Sequence, residues 1–410
     1  MPPPPHSLMQ RLAELAAMTD TPGALTRLFL SPAHRQAISL VEGWMREAGL
    51  QTQIDAIGNL VGRSANGAGK PVLLLGSHID TVRDAGAYDG NFGVLAAIAA
   101  FAAVGRELPY AVEIIAFGDE EGVRFPQTLS GSRAIAGNFD VAALGGKDSA
   151  GVTLGDALRD FGCNPDEIPM IARNPAHTLG YVELHIEQGP VLEAEGLAVG
   201  VVTAINGASR LSVTVTGAAG HAGTVPMAMR KDALAAASEQ ILGVQTYATG
   251  IPGLVATVGS LAVHPGAPNS IPGLVTYSID IRSPNDAIRE QAVADLGRDL
   301  HGISARHRVE TRIAQTHRAP ATQCAPWLQA QLADAIASQN IRPFYLPSGA
   351  GHDAMAVAAL CPVGMLFVRC KGGISHTPEE SITEADAEMA VAVLIAFLRN
   401  FTGPGAVPNG

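Results

Sequence analysis

The chain has 410 residues, 47% of them hydrophobic and 16% charged, and its 38 acidic against 27 basic side chains leave a net charge of −11. That length suits two or three domains with substantial cores, and that charge argues against nucleic acid or an anionic membrane as a partner. Cys163, Cys324, Cys361 and Cys370 show neither CxxC spacing nor a dense framework, so reduced thiols in a cytoplasm are expected.

The opening MPPPPHSLMQ lacks the basic start and apolar core of a signal peptide, and its proline run reads as a disordered lead-in. No uncharged apolar run approaches a membrane span. Between 34 and 50 the apolar positions Ala37, Leu40, Val41, Trp44, Met45 and Ala48 have the spacing of an amphipathic helix. Val72-Leu73-Leu74-Leu75 reads as a buried strand that runs into GSHIDTV, and functional groups are commonly carried just past such strand ends. There His78 and Asp80, two residues apart, can share a face, which would let the Asp80 side chain orient the imidazole.

YDGNFGVLAAIAAF places Asp89 in a Gly-flanked turn before an apolar helix, and the two oxygens of a carboxylate there can bridge two metals. AVEIIAFGDEEGVRF is a strand-like stretch ending in adjacent acids whose side chains diverge, with Glu121 the chosen ligand and Glu120 the free general base. YVELHIEQGPVLE alternates apolar and polar residues around His185. Strand-like and helical runs alternate to about residue 200, the pattern of an α/β layer fold.

From 206 to 318 the pattern changes to LSVTVTG (strand), KDALAAASEQILGVQ (helix), VATVGSLAV (strand), LVTYSIDIR (strand), DAIREQAVADLGRDL (helix) and HRVETRIAQ (strand). That βαββαβ order is the split arrangement of a ferredoxin-like sandwich. The α/β pattern then resumes with a strand at Pro362 to Arg369, a polar loop GGISHTPEE carrying His376, and a final helix with Thr383 as N-cap and Asp386 three residues on. SGAGHDA holds His352 and offers a helix entry that Asp353 would cap, but it is no dinucleotide fingerprint.

His78, Asp89, Glu121, His185 and His376 together have the composition of a two-metal hydrolytic site. Imidazole and carboxylate without cysteine suit zinc, manganese, cobalt or nickel. Each residue also has a plain structural reading: a hydrogen-bonded histidine at a strand end, or adjacent acids on a solvated face. Residue spacing alone leaves both readings open.

The segments GSHIDTV, YDGNFGVLA, DEEGVRFP, GSRA, ELHIEQGPVLE, GHAGTVPM, PNSIPG, DIRS, SGAGHDA and GISHTPEE, in that order over roughly residues 70 to 385, resemble the hydantoinase/carbamoylase branch of the aminoacylase-type metallopeptidase superfamily. The resemblance implies two divalent ions per subunit bridged by Asp89, with His78 and His185 on one and Glu121 and His376 on the other. Glu120 would be the general base, supported by Asp80. It also implies that His221 steadies the oxyanion from a smaller domain, often across a dimer interface. Arg282, whose planar fork suits a carboxylate, would hold the substrate with Asn269 and Gln188 as neutral partners.

Exposed strand-end charge (Arg282) and turn residues (Asn269, Gln188) are the structural alternatives. His352 is a further candidate for substrate contact; His6, His34 and His264 are assigned to surface or packing roles.

The fold so implied is α/β: a metallopeptidase-type catalytic domain in two parts, 1–205 and 319–410, with an inserted α+β lid and dimerisation domain at 206–318. The substrate would be a small ureido compound bearing a carboxylate. DEEGVRFP and SGAGHDA favour allantoate, with N-carbamoyl-L-amino acid hydrolase or β-ureidopropionase as the alternative. A dipeptidase or N-acyl-amino acid hydrolase, or a metal-binding protein without turnover, are weaker readings, and a homodimer through the inserted domain is expected.

Overall fold

The structure, a computed structural model, describes residues 7–65, 67–104 and 108–404. The proline run and His6 lie outside them. In chain order the strands are β1 (Leu50–Ile54), β2 (Leu60–Ser64), β3 (Val72–His78), β4 (Ala111–Phe117), β5 (Thr178–Ile186), β6 (Val199–Ile205), β7 (Gly207–Thr216) and β8 (Gly220–His221). They continue with β9 (Val255–Thr257), β10 (Leu261–His264), β11 (Ser270–Ile271), β12 (Leu274–Ser283), β13 (Glu310–Ala319), β14 (Thr322–Gln323), β15 (Tyr345–Ser348) and β16 (Val363–Val368). Contacts divide the chain into two compact units, residues 1–203 with 324–410, and residues 204–323.

In the first unit the sheet runs β1–β2–β4–β3–β5–β16–β6, with β15 also beside β6. Its centre is parallel: β3 pairs with β4 and β5 in the same direction, and so does β16 with β5. Continuous apolar sequence is what such strands need, because both faces are covered. Every residue of β3 and β4 is buried. Leu73, Leu74 and Leu75 are each at most 1% exposed, and each contributes roughly 2 kcal/mol by leaving water.

The nearly all-apolar helix Asn91–Val104 packs on this sheet and against the last helix, Glu384–Asn400. The helix approaches so closely that a Cβ on Gly93 would lie 2.0 Å from the Leu184 carbonyl oxygen. Four parallel strands therefore end on one edge, the edge at which α/β proteins carry their chemistry.

The amphipathic helix expected at 34–50 is Pro32–Glu47, with Ser31 accepting the His34 N–H as its N-cap and proline in the first turn. The final helix starts as expected, Thr383 accepting the Asp386 N–H at 3.1 Å. One expected cap is absent: Asp353 makes no side-chain cap bond to the short helix Ala354–Val357. The N–H groups it would cap, of Met355 and Ala356, bond backbone carbonyls, and the buried Glu183 carboxylate reaches across from β5 to accept the Ala354 N–H at 2.9 Å.

The second unit is an antiparallel sheet in the order β10–β12–β7–β13, with β9 also on β12. Helices Ala233–Thr249 and Asp286–His307 pack on it, burying Leu211, Val213, Val215, Tyr277, Ile279 and Ile281. The element order is βαββαβ. The single strand expected over VATVGSLAV is broken into β9 and β10. Thr257 pairs with Asp280 and Leu261 with Tyr277, so four steps on one side meet three on the other. The surplus residue falls at Gly259-Ser260, where the Ser278 hydroxyl takes the Ser260 N–H. The helix DAIREQAVADLGRDL also continues past Leu300 to His307, ending where Arg308 adopts φ +58°. Among the described residues no helix is long and apolar enough to cross a membrane.

Candidate metal centre and active site

His78 is the last residue of β3, His185 lies one residue from the end of β5, Glu120 and Glu121 follow β4, and His376 follows β16. Parallel pairing brings these ends together, since His78 sits opposite Phe117 and His185 opposite Phe367. Asp89 enters from the turn before helix Asn91–Val104. Its Oδ1 lies 3.5 Å from His78 Nε2 and 3.0 Å from His185 Nε2, and its Oδ2 lies 3.2 Å from His376 Nε2. Glu121 Oε1 is 3.8 Å from that same His376 nitrogen. One carboxylate thus faces two imidazoles with one oxygen and a third imidazole with the other.

Three donor groups have ligand atoms within 4.8 Å of one another: His78, Asp89 and His185; His78, Glu120 and Glu121; and Asp89, Glu121 and His376. The imidazoles are also oriented for coordination. His78 Nδ1 faces the Asp80 carbonyl oxygen at 2.9 Å and His185 Nδ1 the Ile186 carbonyl oxygen at 2.9 Å. With Nδ1 donating to a carbonyl, Nε2 is the nitrogen turned to Asp89: it hydrogen-bonds the carboxylate here and would offer its lone pair to an ion. Nitrogen and oxygen donors without sulfur fit a divalent ion of the zinc, manganese, cobalt or nickel kind.

Space and backbone conformation are tuned to this cluster. Gly90 has φ +64°, and a Cβ there would lie 2.5 Å from three atoms of the His78 ring. Gln188 and His376 hold φ of +55° and +60°, left-handed values that cost non-glycine residues energy and gather at functional sites.

Electrostatics follow from burial and crowding. Burial opposes charge on both Asp89 and His78, but their mutual hydrogen bond, with those from His185 and His376, holds Asp89 well below the carboxylate range and raises His78 well above the imidazole range. Burial raises Glu120 well above its ordinary range, and Glu121, Asp353 and Asp80 push the same way against His78. Burial likewise lifts Glu121 to about 7. A carboxylate destabilised as an anion is a good proton acceptor.

The Asp80 side chain does not orient His78: its carboxylate is 4.0 Å from His78 Nδ1 and accepts the backbone N–H groups of Glu120 and Glu121 at 3.2 and 3.3 Å, while its backbone carbonyl holds the ring. Gln188 lies at the cluster, donating to Asp89 Oδ2 at 2.8 Å and to the Ser375 hydroxyl at 3.1 Å. His352 is buried, edge-on to His185 at 4.4 Å between ring centroids, with Nε2 on the Ser348 hydroxyl at 2.7 Å.

In the second unit β8 pairs with β11, and the Ala222 N–H bonds the Asn269 carbonyl at 2.9 Å, which brings His221 and Asn269 side by side. The exposed His221 ring accepts the Gly223 N–H through Nδ1 at 3.0 Å. Arg282, on β12, is held by Asp280 at 2.8 Å, and Asp280 also holds Arg210. His34 is buried and His264 exposed.

Sequence reasoning passed over Glu380. It is 4% exposed; one oxygen accepts the N–H groups of Tyr88 and Asp89, and the other accepts the Ser375 hydroxyl. Glu380 thereby ties the Asp89 turn to the His376 loop. The only signal was its place in GISHTPEE, where a second acid looks like loop solvation.

Residues 74–400 match the model of peptidase family M20/M25/M40. Allantoate deiminase 2 of Glycine max is 43% identical over 96% of this chain and 88% of its own length. N-carbamoyl-L-amino acid amidohydrolase of Geobacillus stearothermophilus is 39% identical over 94% of this chain and 96% of its own. The crystal structure of a hydantoinase/carbamoylase family amidase from Burkholderia multivorans superposes with a TM-score of 0.89 at 33% identity, covering 95% of this chain and 96% of that one.

Proposed function

We propose, for a chain that belongs to peptidase family M20/M25/M40 and to its hydantoinase/carbamoylase branch, that the linear ureido C–N bond it hydrolyses is that of allantoate. As an amidohydrolase of non-peptide C–N bonds it needs an activated water, a proton shuttle and a hold on the substrate carboxylate. The observation that carries the proposal is Asp89, with His78 and His185 on one oxygen and His376 on the other, Glu121 beside His376 and Glu120 in the same cluster. That geometry supports two divalent ions, with His78, His185 and Asp89 holding one and Asp89, Glu121 and His376 the other. When bound, such ions lower the pKa of a water and polarise a carbonyl oxygen.

Glu120 takes the proton of the attacking water and returns one to the leaving ureido nitrogen. The carbamate released decomposes to ammonia and carbon dioxide, and a ureidoglycine-type product remains. Gln188 is assigned to substrate at the cluster. In the second unit, His221 is assigned to the developing oxyanion, within its own chain or in its partner's site, and Asn269 and Arg282 to the substrate carboxylate, with closure of that unit as a lid in a cytoplasmic homodimer. Juxtaposition of His221 and Asn269 on paired segments supports their assignment to one substrate. His352, buried behind His185, is assigned to positioning that ring.

The second reading, an N-carbamoyl-L-amino acid hydrolase, is favoured by the Geobacillus relative and uses the same centre. Ammonia release by metal-loaded protein against allantoate, N-carbamoyl-L-amino acids, N-carbamoyl-β-alanine and a dipeptide separates them. A kcat/KM highest for allantoate supports the proposal; preference for an N-carbamoyl-L-amino acid replaces its substrate but not its centre.

A further inference from the structure

Arg27 is among the largest fully buried side chains of the protein, 0% exposed, and lies 51 residues before the first metal-capable histidine. Nothing in the hydrolytic chemistry calls for it. Its Nε donates to the Ile79 carbonyl at 2.6 Å, its Nη1 to the carbonyls of Leu15 and Met18 at 2.7 and 3.0 Å, and its Nη2 to Asn91 Oδ1 at 2.5 Å. Its backbone is pinned as well, the N–H to the Thr81 hydroxyl and the carbonyl by the Thr81 N–H.

Two of these partners matter for the centre. Ile79 lies between His78 and Asp80, whose carbonyl orients the His78 ring. Asn91 begins the helix after the Asp89 turn, and its N–H bonds the Asp89 carbonyl at 2.6 Å. One planar guanidinium therefore spans the segment carrying His78 and the segment carrying Asp89, and anchors both to the end of the N-terminal helix Leu8–Ala16.

We infer that Arg27 is a positioning residue for the metal centre, a rigid spacer that sets the separation of His78 from Asp89 and so lets one carboxylate serve two sets of ligands. The inference rests on the metal reading above. A planar, five-donor fork fixes three directions at once, which a lysine ammonium does not reproduce. Burial pulls the guanidinium down to about 10, against the pull of Asp80 and Asp20, so it stays charged at neutral pH. Asn91 also leaves its buried amide nitrogen without a protein partner. Buried polar groups retained with an open donor are rare where packing alone is served.

The test is cobalt(II) affinity by chelator competition, the cobalt visible spectrum, and kcat and KM, for wild type, Arg27→Lys, Asn91→Ala and the double variant. Loss of a partner behind a metal ligand weakens metal binding by roughly 10- to 100-fold. That weakening is expected for Arg27→Lys, with an altered cobalt spectrum and a fall in kcat that exceeds any rise in KM. The double variant should bind no worse than Arg27→Lys, because the one bond that Asn91→Ala removes is already lost in Arg27→Lys. Unchanged affinity and spectrum in folded Arg27→Lys, or strictly additive losses, would overturn the inference. Should Arg27→Lys not fold, Asn91→Ala keeps the three bonds to backbone carbonyls and carries the test alone. Wild type that takes up no cobalt, or whose uptake ignores His78→Ala, would instead overturn the metal reading.

Discussion

Gly90→Ala tests whether the Asp89 turn and His78 are built around each other. The new methyl would sit 2.5 Å from Cε1, Nδ1 and Nε2 of the ring, where contacts below 3.0 Å are essentially never seen and ordinary contact begins at 3.4 Å. Relief therefore needs a shift of about half an ångström to one ångström. His78 is 2% exposed and ends a fully buried strand, so it has nowhere to go without lengthening its 2.9 Å bond to the Asp80 carbonyl. A left-handed φ adds about 1–2 kcal/mol for any residue with a Cβ.

Because a misplacement near 1 Å can cost on the order of 100-fold in rate, kcat should fall by about that factor, with metal affinity down roughly 10- to 100-fold. The control is Gly69→Ala: φ +75° and nothing within 4 Å, hence the backbone penalty without the clash. Zinc affinity by chelator competition and ammonia release, measured on both variants, separate the two effects. Gly90→Ala matching the Gly69→Ala control in both assays would refute the reasoning.

Glu120→Gln should lower kcat by about 10²- to 10⁴-fold while metal content stays at the wild-type level; loss of metal would mean that Glu120 is a ligand, not the base. Arg282→Lys keeps the charge but loses the fork, so KM should rise by about 10- to 100-fold with kcat much less affected, read from initial rates on allantoate. His34 is fully buried and burial, with Arg27, Arg35 and Arg124, lowers it to about 3. The unfolded chain therefore gains a proton below about pH 6.5 that the fold refuses, and stability is full above that pH and lost as pH falls toward 3, by roughly 1.4 kcal/mol per pH unit. Urea unfolding of metal-free protein at pH 7, 5.5 and 4.5, followed by the fluorescence of Trp44 and Trp327, should show a shallower acid loss for His34→Gln; an unchanged slope would refute this.

Much of the centre could be read from the chain because strand ends in an α/β sheet are legible. The runs before His78 and Glu120 are uninterrupted and apolar, the Asp89 turn is flanked by glycine, and family resemblance joined the segments. What stayed hidden depends on long-range partners. Arg27 looks like an ordinary surface cation until its carbonyl acceptors, up to 52 residues away, fold around it. Glu380 reads as loop solvation because its partners Tyr88 and Asp89 are nearly 300 positions distant. The Asp80 contact to His78 runs through another atom than expected: alternation predicts where a side chain points, not that the backbone carbonyl will take the hydrogen bond. Asp353 failed as a cap because its own backbone is helical and the N–H groups of Met355 and Ala356, the ones a cap would take, already bond the carbonyls of His352 and Asp353. The strand at VATVGSLAV broke because apolar composition carries no information on an extra residue in the register.

The proposed centre of this ureido hydrolase holds two ions about Asp89. Its most direct test titrates chelator-stripped protein with manganese or zinc while counting bound metal by mass spectrometry and following ammonia release from allantoate. No release is expected without metal, and activity should saturate at two ions per chain. Full turnover in the stripped protein, or none with two ions bound on allantoate or any N-carbamoyl-L-amino acid, would contradict it.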